Sequence, residues 1–230
     1  MHPVERTVKR SVDVGLTNYM LKIYQYMALG LGLTALVVFL ISMLPPEMEA
    51  SIHKLSFISV LGTLGIVFYF SWAGLRMSQM AAQGLFWLYS ALMGVSLSVI
   101  LSIYNAQSIA LVFFTTSATF AVTSLYGHVT QKDLTSVGSF CMIGLWGMII
   151  ASLVNMFFGN ESLDFAISVI GVVVFTGLLA YNTQQLRDLY YQISGDDALR
   201  NKMAIFGALT LYLAVVNLFL SLLRLLGDRK

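Results

Sequence analysis

The distribution of charged residues constrains the fold of this 230-residue chain more than any other feature of its sequence. Between Arg76 and Lys132 there is no Asp, Glu, Lys or Arg, a gap of 55 residues. A helix needs about 20 apolar residues to cross a bilayer, so this gap can hold two crossings and a short turn at 104–107. The rest of the chain repeats the pattern of charge-free runs bounded by isolated charges. The sequence therefore predicts a polytopic membrane protein.

The composition supports this prediction and excludes several other classes of protein. Hydrophobic residues make up 58% of the chain and charged residues 10%, whereas soluble domains carry about 25% charged residues. A net charge of +2 is too small to indicate nucleic-acid binding. The lone Cys141 rules out an internal disulfide framework, and its apolar surroundings in sequence predict a buried, unreactive thiol.

The apolar runs predict an all-α protein with seven transmembrane helices. Residues 1–22 are predicted to form a cytoplasmic tail, and residues 23–230 a single transmembrane helical domain. The predicted spans are 23–44, 55–75, 81–103, 108–128, 134–158, 165–186 and 203–223. Polar loops are predicted between the first two spans, at 45–54, and between the last two, at 187–202.

The positions of Lys and Arg predict the orientation of the chain, because cytoplasmic loops of membrane proteins are enriched in these residues. With the N-terminus in the cytoplasm, nine of them fall on the cytoplasmic side and four outside. Three of those four lie in the basic C-terminal tail, which is the one misfit. A re-entrant last segment would return the tail to the cytoplasm and change the ratio to twelve to one.

Polar residues within the last two spans are the strongest candidates for function. On the last span, small or polar residues recur at steps of four, three, four and three, which places them on one helix face: Thr210, Ala214, Asn217, Ser221 and Arg224. The preceding span ends in the polar run 181–185. This pattern is typical either of a hydrophilic pathway or of interhelical hydrogen bonds that only hold the bundle together.

Motifs for catalysis are not found in the sequence. His128 has no acidic or histidine neighbour in sequence, so an interfacial position is expected for it rather than a role in proton transfer or metal binding. No phosphate-binding glycine loop and no His/Cys cluster with metal-ligand spacing occurs. We therefore predict neither an enzymatic activity nor a cofactor.

The C-terminal third resembles the Bax inhibitor-1 family in its bacterial branch. The resemblance is carried by SVIG at 168–171 with VF at 174–175, by AYNTQQL at 180–186 and by ALTLYLAVVNLFL at 208–220. Arg76-Met77 and the KDL sequence at 132–134 also fit. The resemblance implies a seven-helix bundle in which six helices surround the last one, in a bacterial inner membrane. It also implies a pH-sensitive calcium leak for members with a facing pair of aspartates on helices six and seven.

This chain departs from the family pattern at both aspartate positions. The family's Tyr-Asp-Thr is Tyr181-Asn182-Thr183 here, and its Leu-Tyr-Leu-Asp ends in Ala214. Two close carboxylates titrate as a coupled pair and bind cations when charged, whereas an amide and a methyl group cannot ionise. Hard Ca²⁺ prefers charged oxygen ligands, so we expect weak Ca²⁺ binding at most. The candidate pathway or gate residues are Asn182, Ala214, Arg76, Asn217, Tyr181 and Tyr212.

Two functions remain open at the level of sequence. The first is an interaction or regulatory role, since some bacterial relatives implied by the resemblance restrain a membrane-anchored, ATP-dependent protease. The alternative is a pH-sensitive calcium leak or another ion permeation role, carried by amides, carbonyls and Arg76. In relatives with the aspartate pair, an arginine at this position could supply its counter-charge. Here Arg76 is expected at the membrane interface or against helix C-terminal carbonyls.

Overall fold

The computed structural model describes residues 13–74, 76–193 and 195–230, without the side chains of Pro46, Ala50, His53 and Phe57. Within this part of the chain all the regular secondary structure is helical. The helices are α1 (Val14–Ser42), α2 (Pro46–Ala73), α3 (Gln79–Leu97), α4 (Ile100–Ile103), α5 (Ala106–Val129), α6 (Thr135–Phe158), α7 (Glu161–Gln192) and α8 (Asp197–Leu226). The short α4 continues α3 into one span, so seven helical segments are long and apolar enough to cross a membrane. The prediction of a seven-span all-α membrane protein is confirmed.

Polar side chains in the sequence determine where several helices begin. Asp13, Asn160 and Asp196 each accept a hydrogen bond from the backbone N–H three residues later, which satisfies one of the donors left free in a first helical turn. At the C-terminal end of α6, Gly159 adopts a left-handed conformation with φ 60°, which glycine allows without steric cost. These local signals place the helix ends outside the apolar segments.

The helices extend further than the predicted spans, and two predicted loops are wrong. Helix α1 begins at Val14 rather than at residue 23. The predicted loop 45–54 is the first part of α2, because Pro46 is compatible with a first helical turn and Glu47 and Glu49 interact favourably with the helix dipole. Of the predicted loop 187–202, residues 187–192 belong to α7 and residues 197–202 to α8, since both helices continue through their polar ends. Charges mark the edge of the apolar layer, but helical hydrogen bonding does not require apolar side chains.

Helix α8 lies at the centre of the bundle. In its most apolar segment 61% of the residues are buried, against 11% for α6. It packs directly against α1, α3, α5 and α7. Helix α2 packs mainly on α3 and reaches α8 through the Phe70–Phe206 ring pair, whose centroids are 5.0 Å apart, while α6 lies against α7. The central position expected for the last helix is observed, with four helices as its main neighbours.

The two ends of the bundle carry different connections. One end, which we call the α7–α8 face, holds the start of α1, residues 74 and 76–78, the connection 130–134, and residues 193, 195 and 196. At this face Lys22 Nζ donates to Asn201 Oδ1 (2.9 Å) and Lys202 Nζ donates to the Met77 carbonyl (3.3 Å). The opposite tail face holds residues 43–45, 104–105, 159–160 and 227–230.

The C-terminal tail is held at the tail face by backbone hydrogen bonds. The N–H of Asn105 donates to the Asp228 carbonyl (3.1 Å), and the N–H of Lys230 donates to the Ile103 carbonyl (2.9 Å). Helix α8 is continuous over 30 residues, so it carries the chain from one face to the other. The structure therefore supports a full crossing rather than the re-entrant alternative, and the basic tail lies on the face opposite the start of α1.

Candidate functional site

Asn182 lines a polar pocket among α6, α7 and α8, near the α7–α8 face. The pocket has a volume of about 370 Å³ and is lined mainly by amide, hydroxyl and carboxylate side chains, including Asp133, Tyr181, Gln185, Asp188 and Thr210. Asn182 is half-buried, and its amide makes no hydrogen bond to a protein group in the described part of the chain. The pocket can therefore hold water next to this amide.

Two carboxylates lie at the mouth of this pocket, both exposed. The hydroxyl and the backbone N–H of Thr135 bond Asp133 and lower the pKa of its carboxyl group, so Asp133 stays charged at neutral pH. Asp188 forms a 2.9 Å ion pair with its neighbour Arg187. The predicted span ended at residue 186, but the longer α7 carries Asp188 about 9 Å beyond Asn182. These acids are at the bundle surface and not in its centre.

Ala214 lies in the packed apolar core and not in the polar pocket. It is 4% exposed. Helices α7 and α8 are antiparallel, with Gly171 against Ser221 and Gly207 against Leu186. This register places Thr210 at the level of Asn182 and Ala214 about 6 Å further into the bundle. The resemblance implies aspartates at positions 182 and 214. In this protein position 182 lines the polar pocket, whereas position 214 lies in the apolar core.

The polar residues along α8 bond to their own helix. Thr210 Oγ1 donates to the Phe206 carbonyl (3.0 Å), Asn217 Nδ2 to the Leu213 carbonyl (2.8 Å) and Ser221 Oγ to the Asn217 carbonyl (2.9 Å). Each bond runs four residues back along the helix, where a carbonyl oxygen has a second lone pair available. The stripe predicted from the sequence is real, and these three polar side chains bond within α8, whereas Arg224 at its end pairs with Asp164 of α7 at 3.7 Å.

Tyr212 points away from Asn182, towards α1 and α3. Its hydroxyl lies 2.6 Å from Thr34 Oγ1, which also contacts the carbonyls of Ser90 (2.8 Å) and Gly30 (3.0 Å). Because the Thr34 hydroxyl has one proton to donate to those carbonyls, Tyr212 is the donor to Thr34. The Tyr212 ring is fully buried and makes edge contacts with the rings of Phe86 and Tyr89. This residue joins three helices in the core.

The other two candidate residues are also separated from Ala214. Tyr181 packs its ring against Gly138 of α6 and accepts a hydrogen bond from Gln185. Arg76 is exposed in the turn between α2 and α3, as expected for an arginine at a helix end. That turn contacts α8 at Lys202, about 18 Å along the helix before Ala214. The six candidate residues therefore do not meet around one cavity, and their role in an ion pathway stays a prediction.

A pair of side chains near the end of α7 holds the α5–α6 connection in place, and the sequence analysis did not assign this role. Gln184 Nε2 donates to the Lys132 carbonyl and Gln184 Oε1 accepts from the Leu134 N–H, both at 2.8 Å. One turn on, Arg187 donates to the carbonyls of His128 and Thr130 at 2.9 Å. The polar run 181–185 was noted in the sequence, but residue spacing alone could not show that its amide faces a connecting segment.

The site offers little for metal or redox chemistry. In residues 13–74, 76–193 and 195–230 no three His, Cys, Asp or Glu side chains come together as a metal site. Cys141 is buried beside Gly177 of α7, in line with its predicted structural role.

Substituting Gln184 by Leu should destabilise the protein, because it leaves the Lys132 carbonyl and the Leu134 N–H without their partner. We expect a loss of about 2 kcal/mol or more in the free energy of unfolding, measured by thermal or SDS-induced unfolding in micelles. The matched control is Gln185→Leu, an exposed neighbour that bonds within α7, for which the change should stay within about 0.5 kcal/mol. Equal effects of the two substitutions would contradict the assigned role of Gln184.

Comparison with known proteins places this architecture in a family. A family model described as "Inhibitor of apoptosis-promoting Bax1" matches residues 16–230. Protein RP147 of Rickettsia prowazekii is 47% identical over 227 residues, which cover 96% of this chain and 94% of that protein. The inner membrane protein YbhL of Escherichia coli K12 is 41% identical over 219 residues, covering 94% of each chain. Protein YrjE of Lactococcus lactis is 38% identical over 217 residues, covering 93% of this chain and 92% of the relative. The chain is therefore a membrane protein of the Bax inhibitor-1 family.

Proposed function

We propose that this protein acts as an interaction or regulatory membrane protein rather than as an ion channel. The observation that carries the proposal is the position of Ala214, in a packed apolar core about 6 Å beyond the polar pocket. In the part of the chain that the structure describes, every Asp and Glu lies in a connection or near a helix end. A conduit through this bundle would have to desolvate a cation without a charged oxygen ligand at its centre.

The α7–α8 face is the surface through which the protein would act. It combines an exposed Arg76 with the exposed Lys132–Asp133 pair and the charged ends of α7 and α8. Near the end of α7, Tyr191 is 56% exposed, and Arg200 stacks over Tyr190 at 4.6 Å from the ring centroid. Arginine and tyrosine side chains are enriched in protein interfaces, because each combines a large contact area with groups that can form hydrogen bonds. Such a face is suited to recognise a protein at the membrane surface.

We propose that the α7–α8 face is cytoplasmic, since the predicted orientation places nine of the thirteen Lys and Arg residues on the side of the N-terminus. Single cysteines introduced in a Cys141→Ser background test this orientation. A cysteine replacing Asp196 should react with a membrane-impermeant thiol reagent only in inverted vesicles, and one replacing Asn160 only in intact spheroplasts. Reaction of both on the same side would contradict the seven-span arrangement. Exchange of the two sides would contradict the orientation.

The proposed partner is a membrane-anchored, ATP-dependent protease, the class of partner implied by the resemblance. Reconstituted together, this protein should slow the degradation of a membrane substrate several-fold relative to vesicles that hold the protease alone. The charge reversal Lys132→Glu on the α7–α8 face should weaken this inhibition about tenfold, as expected for loss of a favourable charge at an interface. The control Arg229→Glu reverses an exposed charge on the tail face and should leave the inhibition unchanged. Unaltered proteolysis with the wild-type protein would contradict the proposed partner.

The second candidate function is a calcium leak, which is favoured by the polar pocket with its amides and its two peripheral carboxylates. If the packed core around Ala214 admits no ion, vesicles that contain the wild-type protein should show low Ca²⁺ flux, with almost no dependence on pH between about 6 and 8. His128 lies on α5 and does not line the pocket. A steep pH dependence of the wild-type flux would refute the interaction proposal in favour of the leak.

Introducing carboxylates at positions 182 and 214 should create a pH-dependent Ca²⁺ flux. The double substitution Asn182→Asp with Ala214→Asp is expected to raise Ca²⁺ flux and to make it pH-dependent, because the two acids titrate as a coupled pair. It should also destabilise the bundle, since a charged residue at mid-helix costs about 2.5–3.5 kcal/mol on insertion scales. The single Asn182→Asp change should have a smaller effect on the flux, on its pH dependence and on stability, because one carboxyl group in this pocket can remain solvated. A flux that stays at the wild-type level in the folded double variant would show that these positions do not face a pathway.

A further inference from the structure

The structure contains a second cavity, a groove between α1 and α5 that the proposed function does not use. Both helices pack against α7 and α8, and they leave a gap of about 290 Å³ between themselves. The gap is lined by Thr17, Met20, Leu21, Tyr24, Phe120, Ala121, Ser124, Leu125 and His128. Its floor is formed by the buried Met20 and Ser124, and its rims by the exposed Leu21 and Leu125.

The groove opens sideways, towards the region that the bilayer occupies around spans α1 and α5. Leu21 and Leu125 are 50% and 62% exposed, and Ala121 between them is exposed as well. The polar groups of the floor are satisfied within the protein, since the hydroxyls of Tyr24 and Ser124 lie 2.7 Å apart. The groove thus presents an apolar surface at membrane depth, where an empty space would forfeit dispersion contacts with its walls.

The dimensions of the groove fit a single hydrocarbon chain. It runs from His128, in the last turn of α5, to Phe120, which closes it by an edge contact with Tyr24. Eight residues of helix correspond to about 12 Å, slightly less than one leaflet of a hydrocarbon core about 30 Å thick. A volume of about 290 Å³ over this length gives a mean cross-section of about 25 Å². A helix about 10 Å across has a cross-section of about 80 Å², so a helix would lie over the groove and would fill it only with side chains.

The end of the groove at the α7–α8 face is polar. Thr17 lies in the first turn of α1 and His128 in the last turn of α5, so both are at the level of the lipid headgroups. The Nδ1 atom of His128 is buried without a hydrogen-bond partner. A neutral imidazole carries one proton, and in the tautomer that places it on Nε2 this nitrogen is an N–H donor. This N–H is a donor available to a phosphate or ester oxygen.

We propose that the α1–α5 groove binds one membrane phospholipid, with an acyl chain along Ala121 and Leu125 and the phosphate or ester region at His128. A phospholipid supplies both parts that the groove requires, an apolar chain within one leaflet and hydrogen-bond acceptors at its polar end. The site is separate from the pocket at Asn182, because α5 and α7 lie between them. It would attach the protein to a lipid of the leaflet next to the α7–α8 face.

Site-specific photo-cross-linking tests the proposal on the full-length protein. A photo-reactive diazirine amino acid is placed at position 121 in the groove or, as the control, at position 122, where Val122 is 69% exposed on the outer surface. The protein is washed in detergent until bulk lipid is removed and is then irradiated and analysed by mass spectrometry. We expect an adduct with the mass of an intact phospholipid at position 121, at least about fivefold more abundant than at 122, which corresponds to about 1 kcal/mol of preferential retention.

Other adducts would overturn the proposal. Equal phospholipid labelling at 121 and 122 would indicate unspecific annular lipid. An adduct with a free fatty acid, with a peptide of the same chain or with a second copy would identify a different occupant. As an independent measurement, Ala121→Phe should fill the groove and remove about one co-purified phospholipid per chain, whereas Val122→Phe should retain it. Equal phosphorus content in these two variants, both folded by circular dichroism, would also contradict the site.

Discussion

The structure depends on the requirement that polar groups within a bilayer find their hydrogen-bond partners inside the protein. The bilayer core offers no water, and an unpaired buried polar group costs free energy comparable to several favourable contacts. The polar side chains of α8 meet this requirement by bonding to carbonyls one turn back on the same helix. Tyr212 meets it through Thr34, which in turn contacts a carbonyl of α3. The central helix is packed closely by four others, and these polar groups find hydrogen-bond partners within the protein.

Close approach of the helices follows from the same requirement. Where the polar groups are satisfied locally, helices associate through van der Waals packing, and small residues allow their backbones to approach. Gly127 of α5 lies directly against the backbone of Ala180 of α7, where a methyl group would collide. The nearby hydroxyls of Tyr24, Ser124 and Thr183 then join α1, α5 and α7. Packing and polar satisfaction thus support each other where α1, α5 and α7 meet.

The absence of the aspartate pair that the resemblance implies agrees with the apolar packing around Ala214. An aspartate at position 214 would be a titratable group among buried apolar side chains, which favours its neutral form unless a second charge or a cation is present. Alanine has no ionisable group, so the core can pack around α8 without a second charge or a cation at this position. The polar groups that remain, Asn182 and the carboxylates of Asp133 and Asp188, lie towards the α7–α8 face. Both of these carboxylates are exposed at that end of the bundle.

The number of spans, the central position of α8 and the family could be inferred from the sequence, because apolar length and the motifs near Asn182 and Ala214 are properties of short segments. The ends of α2 and α7 could not be inferred, since charged residues such as Glu47 and Asp188 are compatible with helix beyond the apolar layer. The direction of Tyr212 and the role of Gln184 were also missed, because both depend on which neighbour a helix face meets. Spacing along one helix identifies a face but does not identify its partner.

The most direct test of the closed core is the water accessibility of position 214. In a Cys141→Ser background, single cysteines replace Ala214 and, as a reference in the polar pocket, Thr210, and each is exposed to a small water-soluble thiol reagent in vesicles of both orientations. The account predicts that the cysteine at 210 reacts from the α7–α8 face, while the cysteine at 214 reacts from neither side at pH 6, 7 or 8. Reaction at 214 at a rate close to that at 210 would show a hydrated pathway reaching the central helix, and would contradict the account.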